Sequence, residues 1–511
     1  MRKFKANFPL FLSFVLIFVV FWVSAANSLD PDFGWHIQMG KIIQAQGVPK
    51  LDPFSYTMPS FPFVDNGWLT SLLLSVLYEN IGYFALAFVF SLLALVALLL
   101  SLEIRLPLKE NWADSKIMYM KMLLLFLGAA TILPFFGVRP QVFSWLFFAL
   151  IFSVLFAGTY WDKFKYFLPV LFVAWTNIHG SFAAGLIVLF FVVSVRFFRQ
   201  RRILIKDAAV LLLSLAATFV TPYGPRAWGE VLAQISDSNL RWTVAEWMPS
   251  FLVFIPTLIV LVVLSFLLIL RYRRSLGFGV VSLYLLLLFQ AIASRRHAPI
   301  WVLFSLPVTL EALYLLSKEA RRFKFGSYRF KRLIGFGFLA ALIIFFGEFT
   351  LFLISGGGLH EQNFYPARAV SYLSAGTPSG NLFSEYGWGG YLIWKFPQKK
   401  VFIDGRMPSW KWEANIPGEE NYVMKVYTGI LRGDTDFRPV FEKYNIDTVL
   451  WPRSKRKSLF NTLEEGLTNL LREFGLAPKE YDFIEELKKD GWEKTYEDSV
   501  ATVYQRQKAG F

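Results

Sequence analysis

Cysteine is absent from the 511-residue chain, and histidine occurs only four times. The first absence removes disulfides, thiolate metal centres and a cysteine nucleophile from consideration. Charge is scarce as well: 17% of residues are Asp, Glu, Lys or Arg, against about 25% in ordinary soluble domains. No internal repeat or low-complexity tract interrupts the chain. What is abundant is apolar surface, with 55% hydrophobic and 18% aromatic residues and a mean hydropathy of +0.46. Several runs exceed the roughly 18 consecutive apolar residues that read as membrane-spanning helices. The class is therefore an α-helical polytopic membrane protein. Its net charge of +15 would suit nucleic acid if it formed one patch. Instead the Lys and Arg residues sit in short blocks between apolar runs, the pattern of orientation signals, so no nucleic-acid partner is expected.

Apolar runs predict eleven spans, near 7–26, 83–102, 118–137, 140–157, 166–178, 182–198, 208–222, 251–270, 276–294, 299–317 and 333–354. Residues 68–81 are too short for a span and carry Glu79 and Asn80. With that stretch read as an amphipathic helix lying at the interface, the two sets of alternate loops carry 24 and seven basic residues. The positive-inside rule then places the N-terminus in the cytoplasm and the C-terminus outside the cytoplasmic membrane. The N-terminal run, with a basic start and small residues near Ala25, has features of a signal peptide. Its apolar part exceeds the usual core of about 7–15 residues, so a retained first helix is expected. Residues 1–354 form the transmembrane domain, with a first outer loop at 27–82 and another at 223–250. "SGGG" at 355–358 leads into 355–511, where helical and strand patterns alternate and predict a small extracytoplasmic α/β domain. "KKVFIDGRMP" and "NIDTVLWP" read as strands, "ARAVSYLSAG", "NYVMKVYTGIL" and "LFNTLEEGLTNLLREFG" as helices, and "GWEKTYEDSVATVYQR" as a closing hairpin.

Polar residues within membrane regions need a partner or a task, and here they collect on the outer side. The first outer loop holds Asp30, Asp32, His36, Asp52 and Asp65. "GVRPQVF" supplies Arg139 and Gln141, and "WTNIHGSF" supplies Asn177 and His179. The loop 223–250 carries Arg226, Arg241, Glu246 and Trp247, and "ASRRHAPIW" carries Arg295, Arg296 and His297. Each motif alone reads equally as a helix end, a tight turn or an interfacial charge. Together, acids and bases from five outer loops are what an anionic ligand requires. Arginine offers the planar fork that matches phosphate, and carboxylates offer base or metal chemistry. A secondary transporter would instead place its polar groups near the bilayer midplane, where this chain is nearly all apolar.

The ordered set "DPDFGWHIQMGKII…GVPKLDPFSY", "GVRPQVF", "WTNIHGSF", "EWMPS", "RRHAPIW", "LFSEYGWGGYLIW" and "VFIDGR" resembles the GT-C superfamily of polytopic glycosyltransferases. That superfamily includes oligosaccharyltransferases, protein O-mannosyltransferases and aminoarabinose transferases. One departure is "FVDNGWL", where His-Glu-Trp is expected in the closest group and Asp65 and Asn66 stand here. The resemblance implies a sugar donor carried on polyprenyl phosphate, inverting transfer on the outer face, and an aspartate of the first outer loop as general base or metal ligand. By position that acid is Asp30 or Asp32, with His36 beside them. The acceptor is a glycan, lipid or protein of the envelope.

Physical chemistry fits the same picture. A carboxylate within hydrogen-bond reach deprotonates an acceptor hydroxyl as it attacks. The leaving lipid phosphate needs cationic donors, for which Arg139, Arg295 and Arg296 are candidates, with His179, His297, Gln141 and Asn177 in support. The Asp30/Asp32 pair would alternatively hold a divalent cation, Mg or Mn, bridging the phosphate. In the tail, Tyr386, Trp388 and Tyr391 suit stacking on a sugar or packing a strand-turn-helix. Asp404 and Arg406 sit where α/β domains place ligands, or brace the turn against each other. Glu246 and Trp247 belong to an acceptor or loop role. The alternative to an enzyme is a membrane protein that binds lipid-linked glycans as a scaffold or translocation partner.

Overall fold

The computed structural model describes residues 2–104, 115–156, 160–201, 204–237, 240, 244–252, 255–321, 326–354, 360–376, 378–453 and 481–506. Arg241, the "SGGG" stretch and the helix expected at "LFNTLEEGLTNLLREFG" lie outside the described residues. The chain divides into two compact units, one formed by Met1–Ser28 with Val64–Gly358 and the other by Leu29–Phe63 with Leu359–Phe511. Most of the first outer loop thus packs with the tail.

In the first unit, each of the eleven apolar segments contributes a helix. Seven described helices are long and apolar enough to cross a membrane, or eight if Gln141–Phe156 and Tyr160–Ile178 make one broken span. Leu168–Ile178, Ile205–Ala217 and Phe278–Ala293 have 11, 13 and 16 residues, fewer than the roughly 20 that a bilayer core of about 30 Å requires at 1.5 Å per residue. The helix Ala298–Arg321 is the most enclosed and packs against Ser115–Ile132, Pro256–Leu276 and Phe278–Ala293. Tyr328–Leu353 is the least enclosed, with Phe336, Ile343 and Leu351 exposed as lipid-facing side chains would be.

Trp68–Leu102 runs for 35 residues, and its path is broken at Gly82, with φ 72° and ψ 175°. Only glycine adopts that backbone region readily. The break falls where the interfacial stretch 68–81 meets the span 83–102. At the start of this helix the Asp65 carboxylate accepts from Gly67 N (2.8 Å) and Ser71 Oγ (2.7 Å), which ties the preceding turn to the first turn of the helix.

The second unit is built on a four-stranded sheet in the order β1-β2-β4-β3, with β1 at Asn381–Ser384, β2 at Ile446–Pro452, β3 at Trp492–Glu497 and β4 at Ala501–Arg506. β1 and β2 are parallel and the remaining pairs antiparallel, so the expected second strand and closing hairpin are present. The helices at Ala367–Ala375 and Val423–Arg432 are also present. The strand expected at "KKVFIDGRMP" is not in this sheet. It is an extended segment bridged at Val401 to Ser55, with Val401 N donating to Phe54 O and Tyr56 N to Val401 O. The first outer loop supplies its pairing, which is why a strand pattern gave no sheet strand. Phe383 at the centre packs against Phe402, Phe441, Trp451 and Phe483.

Candidate functional site

In the first unit, three separate turns converge. The Arg139 guanidinium lies 2.7 Å from the Glu246 carboxylate. Backbone bonds tie the last outer turn to the same loop, with Arg296 N donating to Glu246 O (3.1 Å) and Arg295 N to Met248 O (2.9 Å). The Arg296 side chain stacks over Trp247, its carbon 4.2 Å from the ring centroid, and Arg295 lies over Phe135 at 5.7 Å. Arg139 holds the Glu246 carboxyl below the ordinary carboxylate range, burial opposes this, and Arg296 and Arg295 reinforce it. The Glu246 carboxylate therefore lies in the field of three guanidinium groups. Among the described residues, the buried Nε of Arg295 has no hydrogen-bond acceptor, a donor that an anion would satisfy.

His179 caps the helix Leu168–Ile178. Its Nδ1 lies 2.9 Å from Ser144 Oγ and 2.8 Å from Ser181 Oγ, and it accepts the Ser181 backbone N–H at 3.3 Å. That N–H can only donate, so the neutral ring carries its proton on Nε2. Burial, with Arg296 and Arg139 adding repulsion and Glu246 opposing them, pushes the imidazole down to about 3. His179 is thus a neutral donor in the field of the arginine cluster. Trp175 Nε1 completes the network by donating to Ser144 Oγ (3.0 Å).

Two expected phosphate ligands have other tasks. Asn177 accepts from Trp68 Nε1 (2.6 Å) and donates to the carbonyls of Val173 and Val220 (both 2.8 Å). Gln141 Nε2 donates to Phe135 O (3.0 Å). Both brace turns. His297 lies in the short 3-10 turn Arg295–His297.

In the second unit, Asp30 Oδ1 accepts the Asp32 backbone N–H at 2.9 Å, and Asp32 Oδ1 accepts from Trp35 Nε1 at 2.9 Å. Asp30 is buried and Asp32 half-buried. Asp32 lies against the "FIDGR" turn, where a Cβ added to Gly405 would come within 2.1 Å of its Oδ1. His36 is buried beneath the Trp35 ring, the centroids 3.6 Å apart, which is a packing position.

The tail residues prove to be core. Arg406 makes a bidentate pair with Asp404 (2.8 and 2.7 Å) and a third bond to Asp52 (2.8 Å), with Phe54, Phe63 and Trp410 around its guanidinium. Trp388 is buried and donates to Phe364 O (2.9 Å). Tyr391 stacks on Tyr365 and donates to Glu361 (3.0 Å). Tyr386 is half-buried, its backbone N–H held by Tyr427 Oη (2.9 Å). The glycines of "GWGG" do admit a backbone, and it is the chain's own. A Cβ on Gly390 would meet Pro31 O at 2.1 Å, and one on Gly34 would meet Gly390 O at 2.2 Å. Glu385 went unnoticed in the sequence. Burial raises its carboxyl, and its Oε2 has no hydrogen-bond partner.

Among the described residues, no three His, Asp or Glu side chains converge as a metal site.

Two solved structures share this fold. The Archaeoglobus fulgidus oligosaccharyltransferase tethered with an acceptor peptide is similar over 88% of this chain and 70% of its own, with a TM-score of 0.54 and 10% identity. ArnT from Cupriavidus metallidurans bound to undecaprenyl phosphate matches over 98% of both chains, with a TM-score of 0.52 and 11% identity. No family model matches the sequence, and neither does any curated protein.

Proposed function

We propose that the chain is a membrane glycosyltransferase that moves a sugar from a polyprenyl-phosphate donor to a glycan, lipid or protein of the envelope, on the outer face and with inversion. The observation that carries this reading is the cluster of Arg139, Arg295 and Arg296 around Glu246, set in a fold shared with proteins solved with an acceptor peptide and with undecaprenyl phosphate. The three guanidinium groups stabilise the phosphate as the bond to the anomeric carbon breaks and its electrons pass to the leaving oxygen. His179, neutral with its proton on Nε2, adds a donor without adding charge.

Asp32 is the candidate base. Asp32 is the less buried residue of the pair, while the Asp30 carboxylate holds the Asp32 backbone N–H and so positions the turn. The acceptor hydroxyl passes its proton to Asp32 as its oxygen attacks the anomeric carbon. Were a divalent cation used, Asp30 and Asp32 would hold it, and it would supply Lewis-acid charge stabilisation. The positive-inside pattern supports a cytoplasmic N-terminus and an extracytoplasmic second unit.

The test is sugar transfer in membrane vesicles supplied with polyprenyl-phosphate sugars. Asp32→Asn abolishes transfer while leaving the melting temperature unchanged. Arg295→Gln raises the donor KM roughly tenfold to a hundredfold, the range for losing one charge-assisted hydrogen bond. Unchanged transfer by Asp30→Asn, Asp32→Asn and the double variant would sink the enzymatic reading and favour a glycan-binding scaffold.

A further inference from the structure

At the ends of Leu168–Ile178 and Phe182–Gln200 away from His179, the first unit has a second polar cluster that the proposed reaction does not use. Asp207, almost fully buried, is held by Lys165 Nζ (3.2 Å), Arg196 Nε (3.0 Å) and Trp161 Nε1 (3.1 Å). Beside it lies a partly open, mainly apolar cavity of about 170 Å³, lined by Val193, Ser194, Phe197, Leu204, Asp207 and Ala208. Apolar cavities of this order stay dry and take up hydrocarbon. The Asp207 carboxylate in its wall is matched by two cations, so it does not repel an anion. Close in the chain to the lining residues Phe197, Leu204 and Asp207, the basic Arg199, Arg201 and Lys206 are exposed, as are Phe198 and Ile205. Basic and apolar side chains at one level are suited to a lipid headgroup above an acyl chain.

We propose that the cleft between helices Phe182–Gln200 and Ile205–Ala217 binds one anionic phospholipid, an acyl chain in the cavity and the phosphate against Arg199, Arg201 and Lys206. Charge complementarity selects an anionic headgroup, and the apolar cavity selects a lipid over a soluble phosphate. A basic belt that served orientation alone would need no cavity.

Native mass spectrometry of the full chain, titrated with palmitoyl-oleoyl phosphatidylglycerol or the matching phosphatidylcholine, tests this. The wild type binds the anionic lipid at least about tenfold more tightly, a fraction of what three basic residues at an anionic surface supply. The variant Arg199→Gln/Arg201→Gln/Lys206→Gln loses that preference. Ser194→Phe fills the cavity and weakens binding of the anionic lipid several-fold. Should Ser194→Phe melt below wild type, Ala208→Leu fills the opposite wall and decides the point. Glycerol 3-phosphate, with a headgroup and no chain, does not compete. Equal affinity for the two lipids, a preference surviving in the triple variant, binding unaffected by cavity filling, or displacement by glycerol 3-phosphate would each overturn the proposal.

Discussion

Replacing Arg406 by Gln removes the one cation from a buried site that also holds Asp52 and Asp404. Three charge-assisted hydrogen bonds vanish, and two carboxylates are left facing each other without a counter-ion. Removing one partner of a buried pair costs about 3–5 kcal/mol. In a unit of this size each kcal/mol moves the melting temperature by about 2–4 °C, so a fall on the order of 10 °C is expected, read by tryptophan fluorescence on the detergent-solubilised chain. Arg406→Lys keeps the charge but cannot reproduce the bidentate geometry to Asp404, and falls between. A pH series adds an independent check. Burial raises the Asp52 carboxyl, but the Arg406 charge and bonds from Ser55 and Phe54 outweigh it and hold the group below its ordinary 3.8. The unfolded chain therefore binds the proton first on acidification, so this contribution is present above about pH 3.8 and is lost as pH falls through the native value. Asp52→Asn lacks that dependence, and its deficit against wild type shrinks at low pH. A melting temperature for Arg406→Gln within about 2 °C of wild type would refute the reasoning.

The close crossing of Phe33–Gln46 and Gly389–Lys395 predicts that Gly34→Ala and Gly390→Ala each destabilise the second unit by about 1–3 kcal/mol or more, because backbone oxygens lie in the way. Gly376→Ala, with open space around it, serves as the neutral control in the same melting assay. His179 is held at about 3 in the native chain, against 6.5 for an ordinary imidazole. Between those values the unfolded chain binds more protons, so this contribution to stability is complete above about pH 6.5 and declines as pH falls. Wild type accordingly loses more melting temperature than His179→Asn between pH 7.5 and 5, and equal losses would argue that the imidazole is charged in the folded chain.

Several features were legible because their causes are local. Long apolar runs exceed what a soluble core needs, so the existence of the helices of the first unit was legible, though not their ends. Glu79 and Asn80 lie close to the break at Gly82 inside Trp68–Leu102, a glycine that the sequence alone does not single out. The hairpin of β3 and β4 was readable from alternation and turn residues, because cross-strand partners are close in sequence. The number of full spans was less so, since turns consume the ends of Leu168–Ile178 and Ile205–Ala217 and leave helices of 11 and 13 residues.

The candidate site divided along the same line. Composition and loop charge singled out these turns, and the structure gathered Arg139, Glu246, Arg295 and Arg296 into one cluster. It gave Asn177, Gln141, Trp388, Tyr391 and Arg406 structural partners, which no local pattern distinguishes from ligand contacts. Glu385 escaped notice because a lone acid between aromatics has no periodic signature. By itself the sequence determined the membrane class, the helix positions and the chemistry available at each turn, all consequences of hydrophobic runs and short-range backbone preference. Only the tertiary structure decided which charges meet. Asp52 and Arg406 stand 354 residues apart, and a pairing at that separation is fixed by packing across the fold rather than by any neighbour in the chain.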